Sequence, residues 1–61
     1  AVKDRILREI KNYEEDGGIE KDKLIMNLKD ITPVIIEDEV QKFLEEGMIF
    51  EPRPGKVRYL G

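Results

Sequence analysis

The chain has 61 residues, with no cysteine and no histidine, and its 11 Lys and Arg against 14 Asp and Glu give a net charge of −3. A domain of this size buries only about 60% of the surface that its unfolded chain exposes, which allows one small core and no deep catalytic cleft. Because serine is absent as well, nucleophilic triads, disulfides and the usual zinc sites are excluded, and we expect a non-catalytic binding domain without metal or cofactor.

The first predicted element is a helix over residues 2–16. Its apolar residues recur every three to four positions, as on one face of an α-helix: Val2, Ile6, Leu7, Ile10 and Tyr13. Gly17 and Gly18 are expected to end this helix, because glycine adopts the left-handed cap conformation without a Cβ penalty. Ile19 follows alone, as either a very short strand or an anchor into the core.

Two more helices are predicted, over residues 20–29 and 33–46, joined by a short turn. The apolar stripe of the first contains Leu24, Ile25 and Leu28, and that of the second contains Ile36, Val40, Phe43 and Leu44. Thr32 is a fair N-cap for the later helix, Pro33 fits its first turn, and Gly47 is its stop signal. Two helices joined in this way form a helix-turn-helix.

The start of the third helix carries more apolar residues than one inward face can hold. Ile36 shares the inward stripe with Val40 and Phe43, whereas Val34 and Ile35 need not share it, because one face cannot hold all three. Either the helix begins later, with one of these two packing into the core as part of the loop, or they form an exposed apolar spot. An exposed spot would be a candidate contact for another protein.

The last predicted element is a two-stranded hairpin, built from residues 48–50 and 57–60, which are rich in strand-forming side chains. Pro54-Gly55 between them signals the turn, and both prolines of this segment must lie at the tip or on an edge strand. The apolar residues of the hairpin are expected to belong to the core. Helix, short strand, helix, helix, strand, turn, strand is the order of an α+β winged helix-turn-helix, with the hairpin as the wing.

Charge is unevenly distributed between the third helix and the hairpin. Residues 32–46 hold five carboxylates against one lysine, a net charge of −4, so phosphates would repel this helix and we expect no reading of the DNA major groove by it. The hairpin holds Arg53, Lys56 and Arg58 against Glu51. Three cations could make weak, salt-dependent phosphate contacts without sequence preference, or they are solubilising residues that protect a hairpin tip.

The run EEGMIFEPRPGKVRYL resembles the carboxy-terminal winged helix of archaeal minichromosome maintenance (MCM) helicases. The wing of that family reads like Gly-x-Ile-Tyr/Phe-Glu-Pro-x-Pro-Gly, followed by a basic and aliphatic end. The matching residues are Gly47, Ile49, Phe50, Glu51, Pro52, Pro54 and Gly55. The chain departs from the family at Val34 and Ile35, where the helix start is usually polar and acidic. Winged helices of archaeal replication protein A-like proteins, which bind single strands, have a similar ending.

The resemblance implies that residues 1–61 form a single winged-helix domain from the carboxy-terminal end of a longer replication protein. Its partners would be the parent helicase core or other replication proteins, which it would modulate or recruit, and the location would be cytoplasmic and nucleoid-associated. The charge distribution adds the expectation that contact with DNA is weak and confined to the wing residues Arg53, Lys56 and Arg58. The alternative is the DNA-binding winged helix of a replication protein A-like protein or of a transcription regulator.

Two further classes of partner are not expected. No apolar run approaches the roughly 18 residues that span a bilayer, so the sequence predicts no contact with a membrane. A chain of 61 residues also offers little concave surface for a small-molecule substrate.

Overall fold

The structure, a computed structural model, describes residues 1–61 as three helices and a three-stranded antiparallel sheet. The elements are, in chain order, α1 (Val2–Lys11), β1 (Ile19–Glu20), α2 (Lys21–Asn27), α3 (Pro33–Glu46), β2 (Ile49–Arg53) and β3 (Lys56–Tyr59). The strand order is β1-β3-β2, so the last strand lies in the centre of the sheet. The predicted α+β class, with three helices, a short strand and a hairpin, is confirmed.

Helix α1 is shorter than predicted, because it ends at Lys11 and not at the glycine pair. A 3-10 turn over Glu14–Asp16 follows, and Gly17 closes that turn. Tyr13 is half-buried, whereas the three acidic residues after it are exposed, so another turn of α-helix would bury no further apolar surface. The Gly18 N–H donates to the Tyr13 carbonyl at 2.9 Å, which turns the chain towards the sheet.

Eleven buried apolar side chains form the core: Ile6, Ile10, Ile19, Leu24, Leu28, Ile31, Ile36, Val40, Phe43, Ile49 and Val57. All three helices and all three strands contribute side chains to this core. Leu28 and Ile31 are its only members outside these elements, and they lie in the turn before α3. Ile19 therefore belongs to a two-residue strand and anchors that strand in the core. Val2 was predicted on the inward stripe but is exposed, because it lies in the first turn of α1, beyond the end of the core.

Helix α3 begins at Pro33 and ends at Glu46, as the sequence predicted, with Gly47 in the left-handed conformation (φ 76°) at its C-cap. Thr32 lies in the N-cap position, but its side chain makes no capping hydrogen bond. Helix α2 is one residue shorter at its start and two at its end than predicted.

Polar contacts connect α1 and the residues after it to α2 and to the turn that follows α2. The Arg5 guanidinium donates to both oxygens of the Asp30 carboxylate, with the longer contact at 3.0 Å. The Asn27 amide donates to the Glu9 carboxylate at 3.0 Å and to the Tyr13 hydroxyl at 3.1 Å. These contacts lie at the surface, where each contributes little to stability.

The hairpin pairs Ile49 with Tyr59 and Phe50 with Arg58, and an irregularity then shifts the register towards the tip. Pro52 lies in β2, which is an edge strand, and Pro54 lies in the turn, so the predicted placement of both prolines is confirmed.

The expectation that all apolar residues of the hairpin belong to the core was wrong for Phe50 and Leu60, which are both exposed. Side chains alternate between the two faces of a strand, so Ile49 and its neighbour Phe50 cannot both point inward. Leu60 lies beyond the end of β3.

None of the helices has the length and apolar character needed to cross a membrane.

Candidate functional site

The three cations of the hairpin come together on one face of the sheet. Val57 is fully buried, so its neighbours Lys56 and Arg58 point away from the core. Phe50 lies directly opposite Arg58 in the adjacent strand and therefore shares that face, with 36% of its surface exposed. We call this surface the outer sheet face and define it by these residues: Glu20, Phe50, Arg53, Lys56 and Arg58.

Arg53 is exposed and already paired within the chain, whereas its two neighbours are half-buried and unpaired. Its guanidinium donates to the Glu20 carboxylate across the sheet, and both side chains remain substantially exposed. Lys56 and Arg58 form no ion pair in the structure. The outer sheet face therefore offers two unpaired cations beside an exposed aromatic ring. Sequence reasoning missed Phe50, although the alternation of side chains along β2 is the signal that would have placed it outside the core.

The tip of the hairpin is held against the start of α2. The Glu51 carboxylate accepts a hydrogen bond from the Gly55 N–H at 3.3 Å and pairs with the Lys21 ammonium at 3.3 Å. The Gly55 hydrogen bond, followed by the Lys21 contact, lowers the pKa of Glu51 below its ordinary value of 4.5. Lys21 also donates its backbone N–H to the Gly55 carbonyl at 2.8 Å. The tip is consequently anchored at both sides of its turn.

The exposed side of α3 is acidic, as the charge distribution predicted. Four carboxylates are exposed to solvent: Glu37, Asp38, Glu45 and Glu46. Lys42, the only lysine of the helix, lies 3.9 Å from the Glu39 carboxylate. The Gln41 amide donates to Glu45 at 3.3 Å. Gln41 and Lys42, the two side chains of α3 that could donate to DNA bases, thus both lie beside carboxylates of the same helix.

Val34 and Ile35 lie within α3 from its first turn and are 62% and 44% exposed. The interpretation in which the helix begins later and one of them packs into the core is therefore wrong. The two side chains do not form a single spot, because successive residues of a helix point about 100° apart. Val34 lies on the same flank as Glu37 and Gln41, three and seven residues later, whereas Ile35 lies on the opposite flank.

A groove of about 240 Å³ lies between α2 and α3, and Glu37 and Gln41, which share a flank of α3 with Val34, form part of its lining. Its apolar lining consists of Leu24, Ile25, Ile36 and Val40. Lys21, Glu37 and Gln41 form its polar rim. The sequence did not predict this groove, because its width depends on the distance at which the two helices pack.

No group of three or more acidic side chains is arranged to hold a metal ion. Comparison with protein-family models, with curated proteins and with solved structures gives no match for this chain. The resemblance of the hairpin to the archaeal helicase domain therefore stays a prediction.

Proposed function

We propose that this chain is a non-catalytic winged-helix domain of a DNA replication protein, resembling the carboxy-terminal domain of archaeal MCM helicases. It acts through protein contacts, by modulating the helicase core or recruiting a partner in the cytoplasm at the nucleoid. Contact with nucleic acid is at most weak, independent of sequence and confined to the hairpin. The order of the elements and the position of β3 between β1 and β2 support the winged-helix arrangement.

The single observation that carries this proposal is the charge of α3, which occupies the position of the recognition helix. In DNA-binding helix-turn-helix domains this helix enters the major groove. Duplex DNA carries one negative charge per about 1.7 Å of its axis, and affinity comes largely from Lys and Arg that neutralise phosphates. A helix with four exposed carboxylates and one paired lysine is repelled from that surface and is suited to a protein partner.

A second candidate function, binding to single strands, is favoured by one specific observation. Phe50 and Arg58 lie side by side on the outer sheet face, where an exposed aromatic ring could stack on a base. Proteins that bind single strands without sequence preference combine basic side chains with such aromatic platforms. With only two unpaired cations, binding through this face would be weak, and a replication protein A-like parent would have to supply most of the affinity.

A titration of the isotope-labelled chain with DNA, followed by amide chemical shifts, tests the proposal. Duplex, forked and single-stranded oligonucleotides are compared at about 0.05 M and 0.15 M salt. We expect no shifts in residues 37–46 with any of them. Small shifts at residues 50–58 should appear at low salt and largely vanish at the higher concentration, with a logarithmic salt slope of about −2. Tight binding of duplex centred on residues 37–46 would overturn the proposal.

A matched pair of variants separates hairpin contact from overall charge. Arg53→Ala/Lys56→Ala/Arg58→Ala should abolish the low-salt shifts. Lys3→Ala/Arg8→Ala/Lys29→Ala removes the same charge from exposed positions elsewhere and should leave them unchanged. Equal loss in both variants would mean that the contact is a general charge effect.

The parent protein distinguishes the two candidate functions. An ATPase with a Gly-x-x-x-x-Gly-Lys-Ser/Thr loop in the same polypeptide supports the helicase, whereas an OB fold supports the single-strand-binding protein.

A further inference from the structure

The groove between α2 and α3 is the larger of two concave surfaces on the molecule, about 240 Å³ against about 200 Å³. Ile25 is only half-buried along it, although it belongs to the apolar stripe of α2. Val34 extends the apolar surface along the same flank of α3 and is the most exposed of that helix's large apolar residues. Apolar side chains from both helices thus converge on one opening.

The size of the groove argues for side chains of a protein as its occupant. At about 240 Å³ it is smaller than the roughly 300–1,000 Å³ of typical small-molecule pockets, and it is only partly enclosed. A volume of this order accommodates one or two large aliphatic side chains. Helical segments that bind to grooves present such anchors three to four residues apart.

The charges around the groove define the chemistry of that segment. On the α3 rim, the exposed carboxylate of Glu37 has no cationic partner, and Glu45 continues the same flank. Lys21 is the only cation among the lining residues, and its ammonium is already paired with Glu51. The unpaired charge at the rim is therefore negative, and the complementary partner is positive.

We propose that the groove binds a basic amphipathic segment of a partner protein. An aliphatic side chain of that segment enters between Ile25 and Val40, a second packs on Val34, and flanking Lys or Arg side chains pair with the carboxylates of α3. This inference rests on the proposed function, in which α3 contacts protein, and it specifies both the surface and the partner chemistry.

The probe is a synthetic peptide of about 14 residues, roughly four helical turns, with leucines at positions i and i+4 and lysines beside them. We titrate it into the isotope-labelled chain at low salt and follow amide and methyl shifts. Shifts should centre on Ile25, Val34 and Gln41. A peptide of the same composition in scrambled order, and one with Glu in place of Lys, should bind at least about five-fold more weakly.

Two matched pairs of variants locate the contact on the flank of the groove. Val34→Ala should weaken binding about five-fold, because it removes two methyl groups from the interface, whereas Ile35→Ala on the opposite flank should change it less than two-fold. Glu37→Gln should weaken binding about two- to three-fold at low salt, and Glu46→Gln should not. All four positions are exposed, so the variants should keep the folded amide spectrum.

Several results would overturn the inference. These are equal binding of the scrambled peptide, shifts centred on the outer sheet face, or no binding at millimolar peptide. Concentration-dependent self-association of the free chain, with shifts at the groove, would assign the surface to a second copy instead. If the peptide fails to bind but the DNA titration gives its expected result, the proposed function stands and only the basic partner segment is ruled out. Tight binding of duplex DNA through α3 would rule out both the proposed function and the basic partner segment.

Discussion

At the scale of single residues, Glu51 connects the hairpin to the rest of the molecule. Its carboxylate accepts the Gly55 N–H and faces the Lys21 ammonium, and these two contacts lower its pKa from 4.5. A carboxylate whose pKa is lower in the folded than in the unfolded state stabilises the fold at pH values above its unfolded pKa. That contribution is lost as pH falls through the folded pKa.

The corresponding prediction concerns the pH dependence of Glu51→Gln. We expect the variant to unfold at a lower urea concentration than the parent near pH 6, because the amide cannot pair with Lys21. The difference should disappear as pH falls below the lowered pKa of Glu51, where the parent carboxylate is protonated. Urea unfolding at several pH values measures this, and a carbon-detected titration of Glu51 should give a midpoint below 4.5.

Glu46→Gln is the control, because Glu46 is exposed and forms no ion pair. Its unfolding midpoint should follow that of the parent at every pH. A difference between the parent and Glu51→Gln that persists at low pH would show that the effect does not arise from ionisation of Glu51.

At the scale of elements, the sequence placed the end of α3 correctly, left its start open between two interpretations and misplaced the end of α1. The third helix has strong local signals, with Pro33 in its first turn and Gly47 after its last. The end of α1 depends on a distant contact, since the chain must leave the helix early enough for Ile19 to pair with Val57. Local periodicity carries no information about such pairing.

The candidate site was predictable only where it depends on residues that are close in sequence. Arg53, Lys56 and Arg58 are close in sequence, so a hairpin necessarily brings them near one another. Their common face with Phe50 follows from the register of β2 and β3, which the irregularity near Pro52 alters. The groove could not be predicted, because it depends on how α2 and α3 pack.

Gly18 should be the least replaceable glycine in the chain. A Cβ atom there would lie 2.5 Å from the Val57 carbonyl oxygen, and its φ of 118° is one that other residues rarely adopt. We expect Gly18→Ala to lower the free energy of unfolding by about 2–4 kcal/mol, because two costs add. The backbone is strained at this φ, and the new methyl group pushes β1 away from β3. Urea denaturation measures the change.

Gly47→Ala provides the comparison, since Gly47 also has a positive φ but no atom lies within 4 Å of the added methyl group. Only backbone strain remains there, and the loss should be about 1 kcal/mol. Equal losses at the two positions would mean that the close approach of Gly18 to β3 does not constrain the sheet.

At the scale of the whole molecule, a small core supports surfaces of opposite charge. Eleven apolar side chains are buried, no polar side chain is, and Phe43 from α3 is the largest residue that is fully enclosed. The same small core therefore holds in place both α3, with its acidic flank, and the sheet, with its basic outer face. Substitutions on these surfaces should be tolerated, whereas loss of the core should affect both at once.

A matched pair of phenylalanine substitutions tests this division. Phe43→Ala should lower the free energy of unfolding by about 3–5 kcal/mol, because it removes buried apolar surface and leaves a cavity. Domains of this length have a total stability of roughly 3–9 kcal/mol, so a large fraction of the variant should be unfolded at 37 °C. Phe50→Ala makes the same chemical change on the outer sheet face and should lower stability by less than about 1 kcal/mol. Urea unfolding followed by circular dichroism compares the two, and similar losses would contradict the assignment of Phe50 to a solvent-facing surface.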